Sequence, residues 1–113
     1  MMTDYDDLTL YFKALAHPAR LQILDMLRRG EVCVCHIETA LRKRQPYVSQ
    51  QLMLLREAGL VESRKEGLQV YYRLADTRIA DILEATCGSL SHSEHKPLKD
   101  CPCPVCTAES VSA

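Results

Sequence analysis

The stretch "VCHIETALRKRQPYVSQQLMLLREAGL", residues 34–60, decides the fold, because it predicts two short helices joined by a polar turn. The first helix covers Val34 to Leu41, and residues 42–45 are polar. Pro46 suits the first turn of the next helix, where its missing N–H removes no helical hydrogen bond. Apolar residues then recur at helical spacing, at Val48, Leu52 and Leu55. Two short helices joined by such a turn are typical of a helix-turn-helix.

The next residues, "VESRKEGLQVYYRL" (61–74), change from helical spacing to a β-forming composition. Val70, Tyr71 and Tyr72 belong to residue types that are enriched in strands. Glu66 and Gly67 lie between the two β-forming runs and have the chemistry of a turn. We therefore predict a β-hairpin with a basic tip.

Helical spacing also occurs on both sides of this region. Residues 8–15 place apolar side chains at i, i+3, i+4 and i+7, and a second helix begins at Pro18 and closes at Gly30. Apolar spacing resumes over residues 79–90 and predicts a fifth helix. Helices, a helix-turn-helix and then a hairpin predict a mainly α fold of the winged helix-turn-helix type.

Length and composition indicate a single globular domain. The chain has 113 residues, 47% of them hydrophobic and 26% charged. No apolar run approaches the roughly 20 residues of a membrane span, and the acidic start MMTDYDDLTL is unlike a signal peptide. We therefore expect a cytoplasmic protein without a membrane partner. Thiols stay reduced there, so the six cysteines indicate metal or redox chemistry before disulfides.

Charge is distributed unevenly along a chain whose net charge is only −1. Between Arg42 and Arg73 there are seven basic and three acidic residues, whereas the first seven residues carry three Asp and no base. A locally basic middle is one feature of a nucleic-acid face, but on charge alone a solvated surface is the favoured interpretation.

Two segments carry a resemblance to a known family. "FKALAHPARLQILDMLRRGEVCVCHIETAL" (12–41) and "VSQQLMLLREAGLVESRKEGLQVYYRL" (48–74) resemble the ArsR/SmtB family of metal- and metalloid-responsive repressors. The resemblance covers roughly residues 8–90. It implies a homodimer that is paired through its first and last helices, binds operator DNA and releases it when an inducer binds. We accordingly assign residues 1–92 to a DNA-binding and dimerisation domain, and residues 93–113 to a Cys-rich flexible tail.

Double-stranded operator DNA is the partner that this arrangement predicts. The exposed N-terminal end of the recognition helix is expected to present short polar side chains to the major groove, because amide and hydroxyl groups can reach base edges and phosphates. Arg64 and Lys65 at the wing tip are expected to meet phosphates or the minor groove. The residues predicted to contact DNA are Tyr47, Ser49, Gln50, Gln51, Arg56, Arg64, Lys65 and Gln69.

Cys33 and Cys35 are the candidate inducer ligands. Residues i and i+2 do not face each other on an ideal helix. In extended backbone they share a side about 6.6 Å apart at Cα, so two sulfurs could meet one ion. From the residues alone, two packed core cysteines explain the pair equally well. The resemblance favours ligands, although its arsenic sensors often add a third cysteine where this chain has Glu38.

The tail segment "CPCPVC" provides three further thiols, Cys101, Cys103 and Cys106. Pro102 and Pro104 favour extended backbone, and clustered thiolates suit As(III), Sb(III), Cd(II), Pb(II) or Zn(II). Two designs stay open: the tail lends a thiolate to Cys33 and Cys35, or it binds its own ion.

The resulting hypothesis is a repressor that releases operator DNA on binding a thiophilic ion, with As(III) or Sb(III) favoured. The alternative is a thiol redox or persulfide sensor on the same DNA-binding fold. An enzyme is not expected, because the C-x-x-C spacing of Cys103 and Cys106 lacks the helix start and βαβ pattern of thiol oxidoreductases.

Overall fold

A computed structural model of the chain describes residues 4–88. This part is mainly helical, with one small antiparallel sheet, and it confirms the predicted winged helix-turn-helix. The elements are α1 (Tyr5–Leu15), α2 (Pro18–Leu27), β1 (Val32–Cys33), α3 (Val34–Leu41), α4 (Gln45–Glu57), β2 (Val61–Glu66), β3 (Gln69–Leu74) and α5 (Arg78–Cys87). The predicted tail, residues 93–113, lies outside the described residues.

The break between α1 and α2 is made by His17 and Pro18. The imidazole Nδ1 of His17 accepts a hydrogen bond from the backbone N–H of Ala19 at 3.2 Å, so His17 caps the second helix. Pro18 occupies the first turn of α2, where proline is favoured. The two helices therefore meet at a fixed corner.

The helix-turn-helix consists of α3 and α4, and α3 has the predicted bounds. Arg42 ends α3 in the left-handed conformation (φ 54°, ψ 42°) and reverses the chain. Helix α4 begins at Gln45, one residue before the predicted start, with Pro46 in its first turn. Its predicted apolar stripe is buried.

The core lies where α2, α3, α4 and α5 meet over the sheet. The largest side chains that are almost completely buried are Ile23, Leu24, Ile37, Val48, Leu52, Leu55, Leu60 and Ile79. Helix α4 is thus held by its apolar side, which leaves its opposite side to solvent. Burial of this kind fixes the recognition helix relative to the sheet.

The sheet has three strands in the order β1-β3-β2, one more than the predicted hairpin. In β1, Val32 pairs with Tyr72 and Cys33 pairs with Tyr71. The hairpin turns through Gly67, whose positive φ of 60° suits a tight two-residue loop. The strand β1 was not predicted, because two residues are too short to show a period.

Helices α1, α2 and α5 leave an apolar groove of about 700 Å³ between them. Phe12, Leu21, Ile82 and Cys87 are among its lining residues. Phe12 and Leu21 are exposed to solvent at this groove. Among the described residues, no helix is both long and apolar enough to cross a membrane.

Candidate DNA-binding surface and thiol site

The recognition helix α4 presents a polar side to solvent. Ser49, Gln50 and Arg56 are exposed, as their predicted contact with DNA requires. Tyr47 is half-buried against the core, and the ammonium of Lys43 lies 5.6 Å from the centre of its ring. Part of the tyrosine side chain is therefore covered by the core.

Gln51 departs from the prediction, because only 7% of it is exposed. It lies three residues after Val48 and four before Leu55, both of which face the core. A residue at this spacing shares the buried side of the helix. Its Oε1 has no hydrogen-bond partner in the described part of the chain. The expectation that Gln51 lies at the exposed end of α4 was wrong.

The wing carries a guanidinium that is already bound within the protein. Arg64 makes two-pronged contact with the carboxylate of Glu31, with N···O distances of 2.6 and 3.0 Å, and reaches Glu66 Oε2 at 2.5 Å. Its guanidinium also lies 4.7 Å from the centre of the Tyr71 ring. The hydrogen bond from Arg64 holds the pKa of the Glu31 carboxyl below its usual range. Lys65, the other predicted contact, is exposed at the neighbouring position.

Gln69, predicted to contact DNA, is half-buried and connects the wing with the thiol pair. Its Oε1 accepts a hydrogen bond from the thiol of Cys35, with a sulfur–oxygen distance of 3.6 Å. Gln69 begins β3, whereas Cys35 lies in the first turn of α3. This side chain therefore spans the junction between the helix-turn-helix and the wing.

The two candidate ligands lie on either side of a change in backbone conformation. Cys33 is extended, ends β1 and caps α3, and only 3% of it is exposed. Cys35 is helical and half-buried. The pair is therefore neither a regular helical pair nor a regular extended pair. Both thiols are free of disulfides, and soft sulfur donors of this kind fit a thiophilic ion.

Two sulfurs are an incomplete ligand set for such an ion. Within residues 4–88, no group of three or more His, Cys, Asp and Glu side chains comes together as a metal site. The predicted tail ligands Cys101, Cys103 and Cys106 lie outside the described residues. Cys87 is exposed at the end of α5 and lines the apolar groove between α1, α2 and α5. Neither Cys33 nor Cys35 lines this groove.

No functional role was predicted from the sequence for two residues of this region, Glu31 and Tyr71. Glu31 binds Arg64, and Tyr71 lies between Cys33 and Arg64 in the register of the sheet. No local pattern in "EVCVC" (31–35) could have revealed a strand here, because β1 has only two residues and pairs with residues far along the chain. A strand at this position places residues 31 and 33 beside the hairpin.

Comparisons with known proteins agree with this geometry. A family model described as "Bacterial regulatory protein, arsR family" matches residues 17–63. The chain is 47% identical over 79 residues to the "Biofilm growth-associated repressor" of Agrobacterium fabrum, which covers 70% of this chain and 68% of that protein. This chain belongs to the ArsR/SmtB family. It is 51% identical over 65 residues to the "Arsenical resistance operon repressor" of Escherichia coli, covering 57% of this chain and 56% of that protein.

The solved structures extend the agreement to the fold. The homodimeric winged helix-turn-helix DNA-binding domain Mb0332 of Mycobacterium bovis, a possible ArsR-family regulator, is 40% identical with a TM-score of 0.67. The match covers 74% of this chain and 77% of that one. The chain is accordingly a DNA-binding transcriptional repressor of the ArsR/SmtB family.

Proposed function

We propose that this ArsR-family protein is a homodimeric repressor that releases operator DNA when Cys33 and Cys35 coordinate a thiophilic ion, with As(III) or Sb(III) favoured. The observation that carries the proposal is the position of the two thiols. They flank the start of α3, the first helix of the helix-turn-helix, so a ligand on them acts on the element that supports the recognition helix.

The chemistry of the two side chains favours a soft ion. Thiolates bind As(III), Sb(III), Cd(II), Pb(II) and Zn(II), with metal–sulfur distances of about 2.3 Å for zinc. The N-terminal end of a helix stabilises a thiolate, and both residues lie at such an end. The arsenical resistance operon repressor of E. coli, which is similar over 65 residues, makes arsenic the first ion to test.

The third ligand is proposed to come from the tail. Cys101, Cys103 and Cys106 are the remaining candidates, because the described residues provide no third ligand beside Cys33 and Cys35. In one form of the proposal a tail thiolate joins the pair. In the other form the tail binds a separate ion, and the pair completes its coordination with a small thiol or water.

The dimer is proposed to form over α1 and α5. Phe12 and Leu10 on α1 are at least half exposed, and Leu21, on α2, borders the same groove as Phe12 and Ile82. Exposed apolar side chains grouped around a groove favour a protein interface. A second copy is the proposed occupant, since the similar Mb0332 domain is described as homodimeric. A two-fold dimer presents its recognition helices to two half-sites about one DNA turn apart.

Operator contact is proposed for the exposed predicted residues. Ser49, Gln50 and Arg56 lie on the solvent side of α4, and Lys65 lies on the wing. Amide side chains distinguish adenine in the major groove, and lysines neutralise phosphates. Gln51 is left out of this set because of its burial, Gln69 because its side chain is engaged by Cys35, and Arg64 because Glu31 holds its guanidinium.

The test measures ion binding and DNA release together on fully reduced protein. An operator fragment is first selected from random duplex DNA, and its affinity is then followed by fluorescence anisotropy with each of the five ions. Coupling of the usual size predicts that As(III) weakens operator binding by about 5- to 150-fold. Cys33→Ser/Cys35→Ser is expected to abolish release, while it still binds operator DNA in the absence of an ion.

Two further measurements test the role of the tail and the redox alternative. If the tail completes the site, the Cys101→Ser/Cys103→Ser/Cys106→Ser variant no longer releases DNA when the ion is added. If the tail has a separate site, the variant still releases DNA but binds fewer ions per chain. Treatment with diamide or polysulfide replaces the ions in the second measurement. If oxidant releases DNA with a disulfide visible by mass spectrometry, and no ion does, the metal proposal is wrong and the redox alternative replaces it.

A further inference from the structure

Alternate residues of the segment 31–35 each contact the wing. The Glu31 carboxylate binds Arg64, Cys33 pairs with Tyr71 in the sheet, and the Cys35 thiol donates to Gln69. All three partners belong to the hairpin formed by β2 and β3. The candidate ligands are therefore fastened to the wing as directly as to the recognition helix.

These contacts share one face of the sheet. Cys33, Tyr71 and Arg64 are directly opposite one another across β1, β3 and β2. Side chains at directly paired positions lie on the same face, about 4.5–5.5 Å apart at Cβ. The guanidinium of Arg64 lies over the Tyr71 ring and is held there by Glu31, whereas Cys33 on the same face is buried.

We propose that Glu31 and Gln69 are positioning residues that couple the thiol pair to the wing, so that an ion on Cys33 and Cys35 displaces the wing from DNA. We call Glu31, Arg64, Cys35 and Gln69 the wing clamp. The proposal rests on the proposed function for the identity of the inducer, but the wing clamp itself is testable without any ion.

Coordination changes the hydrogen bond between Cys35 and Gln69. The neutral thiol donates its proton to the amide oxygen. On binding an ion, the sulfur gives its proton to solvent and becomes a thiolate ligand, which has nothing to donate. Two acceptors then face each other, so the amide of Gln69 has to turn or withdraw. Because Gln69 is the first residue of β3, this displacement acts on the tip of the wing.

Glu31 determines whether the Arg64 guanidinium stays bound to the segment that contains the thiols or is available to contact DNA. The guanidinium is shared between Glu31, in the segment that leads to the thiols, and Glu66, within the wing itself. Loss of Glu31 removes the ion pair between the wing and that segment, whereas loss of Glu66 removes an equal charge and keeps this ion pair. Glu66→Gln is therefore the matched control for Glu31→Gln.

The first experiment measures the wing without an ion or DNA. Hydrogen–deuterium exchange of residues 61–74 is compared in wild type, Glu31→Gln, Gln69→Ala and Glu66→Gln. Faster exchange of β3 is expected in the first two variants and wild-type exchange in the third. Circular dichroism confirms that each variant is folded, and Glu31→Asp, which keeps a carboxylate, is expected to restore part of the protection. Equal exchange in all four proteins would overturn the wing clamp.

The second experiment measures the factor by which As(III) weakens operator binding. Changes along a coupling network alter such factors by about 2- to 30-fold. We expect the factor to shrink within this range in Glu31→Gln and Gln69→Ala, with ion affinity retained, and to stay within about twofold of wild type in Glu66→Gln. If all three variants release DNA as wild type does, the wing clamp is wrong and the proposed function stands. If wild type itself does not release DNA, the proposed function fails, and the exchange experiment alone decides on the wing clamp.

Discussion

The phenol of Tyr11 on α1 is buried beside the carboxylate of Asp76, which precedes α5. The hydroxyl has no partner at hydrogen-bonding geometry within residues 4–88, but burial, followed by the negative charge of Asp76, raises its pKa. The Arg78 guanidinium lies 2.6 Å from the same carboxylate and 5.2 Å from the centre of the Tyr11 ring. The three side chains connect the two helices that we assign to the dimer.

The acid stability of the protein is predicted to depend on Asp76. Hydrogen bonds from Arg78 hold the pKa of its carboxyl below the ordinary value of 3.8. A carboxyl whose pKa is lower in the folded protein than in the unfolded chain stabilises the fold at pH values above the unfolded pKa. This stabilisation is lost as the pH falls through the folded pKa. Asp76→Asn is therefore expected to lower the melting temperature at pH 7, with the difference from wild type shrinking below pH 3.8. Thermal unfolding by circular dichroism measures this, and a difference that is constant from pH 7 to pH 2.5 would contradict it.

Alkaline stability is predicted to depend on Tyr11. Its raised pKa means that the folded state keeps the phenol proton after the unfolded chain, with an ordinary value of 10.0, has lost it. The stabilisation that depends on this proton is complete below pH 10.0 and is lost as the pH rises through the pKa of Tyr11 in the folded protein. Tyr11→Phe has no proton to lose, so its melting temperature relative to wild type is expected to rise above pH 10.0. Thermal unfolding of both proteins by circular dichroism on either side of pH 10.0 measures this, and a difference that does not change across that pH would contradict it.

The helical framework could be predicted from the sequence because its signals are local. Helix α3 runs from Val34 to Leu41 as predicted, and α4 begins one residue before Pro46. Caps, proline and apolar spacing act within a few residues of the boundary that they set. The burial of Gln51 was also readable in principle, since it shares the spacing of Val48 and Leu55.

The connection between thiols and wing could not be predicted in the same way. The strand β1 exists because Val32 and Cys33 pair with residues almost 40 positions later, and no local period announces a pairing of two residues. The ion pair of Glu31 and Arg64 depends on that register. A two-pronged contact within the protein also changes the interpretation of Arg64, which the sequence presents only as one of several basic residues near a hairpin tip.

Gln50 and Gln51 are predicted to differ sharply in what their loss does to operator recognition. Gln50 is exposed, and its replacement by Ala is expected to reduce discrimination at one base pair per half-site by about 1–3 kcal/mol. Gln51→Met removes a buried amide oxygen that lacks a partner, so stability is expected to stay level or rise, with operator preference unchanged. Repeating the selection from random DNA with each variant measures the preference, and altered specificity in Gln51→Met would restore it as a contact.

Lys65 is predicted to act on phosphate rather than on bases, because it is exposed on the wing and a lysine neutralises phosphate as a point charge. Each lost phosphate contact lowers the slope of log affinity against log salt by about 1, so Lys65→Ala in a dimer is expected to lower it by about 2. Affinity should fall by a similar factor for operator and for unrelated duplex DNA. Lys13→Ala, which removes an exposed lysine on α1, is the control and is expected to leave the slope unchanged. An unchanged slope in Lys65→Ala would remove Lys65 from the DNA-binding surface and leave the wing with Arg64, whose guanidinium must first leave Glu31.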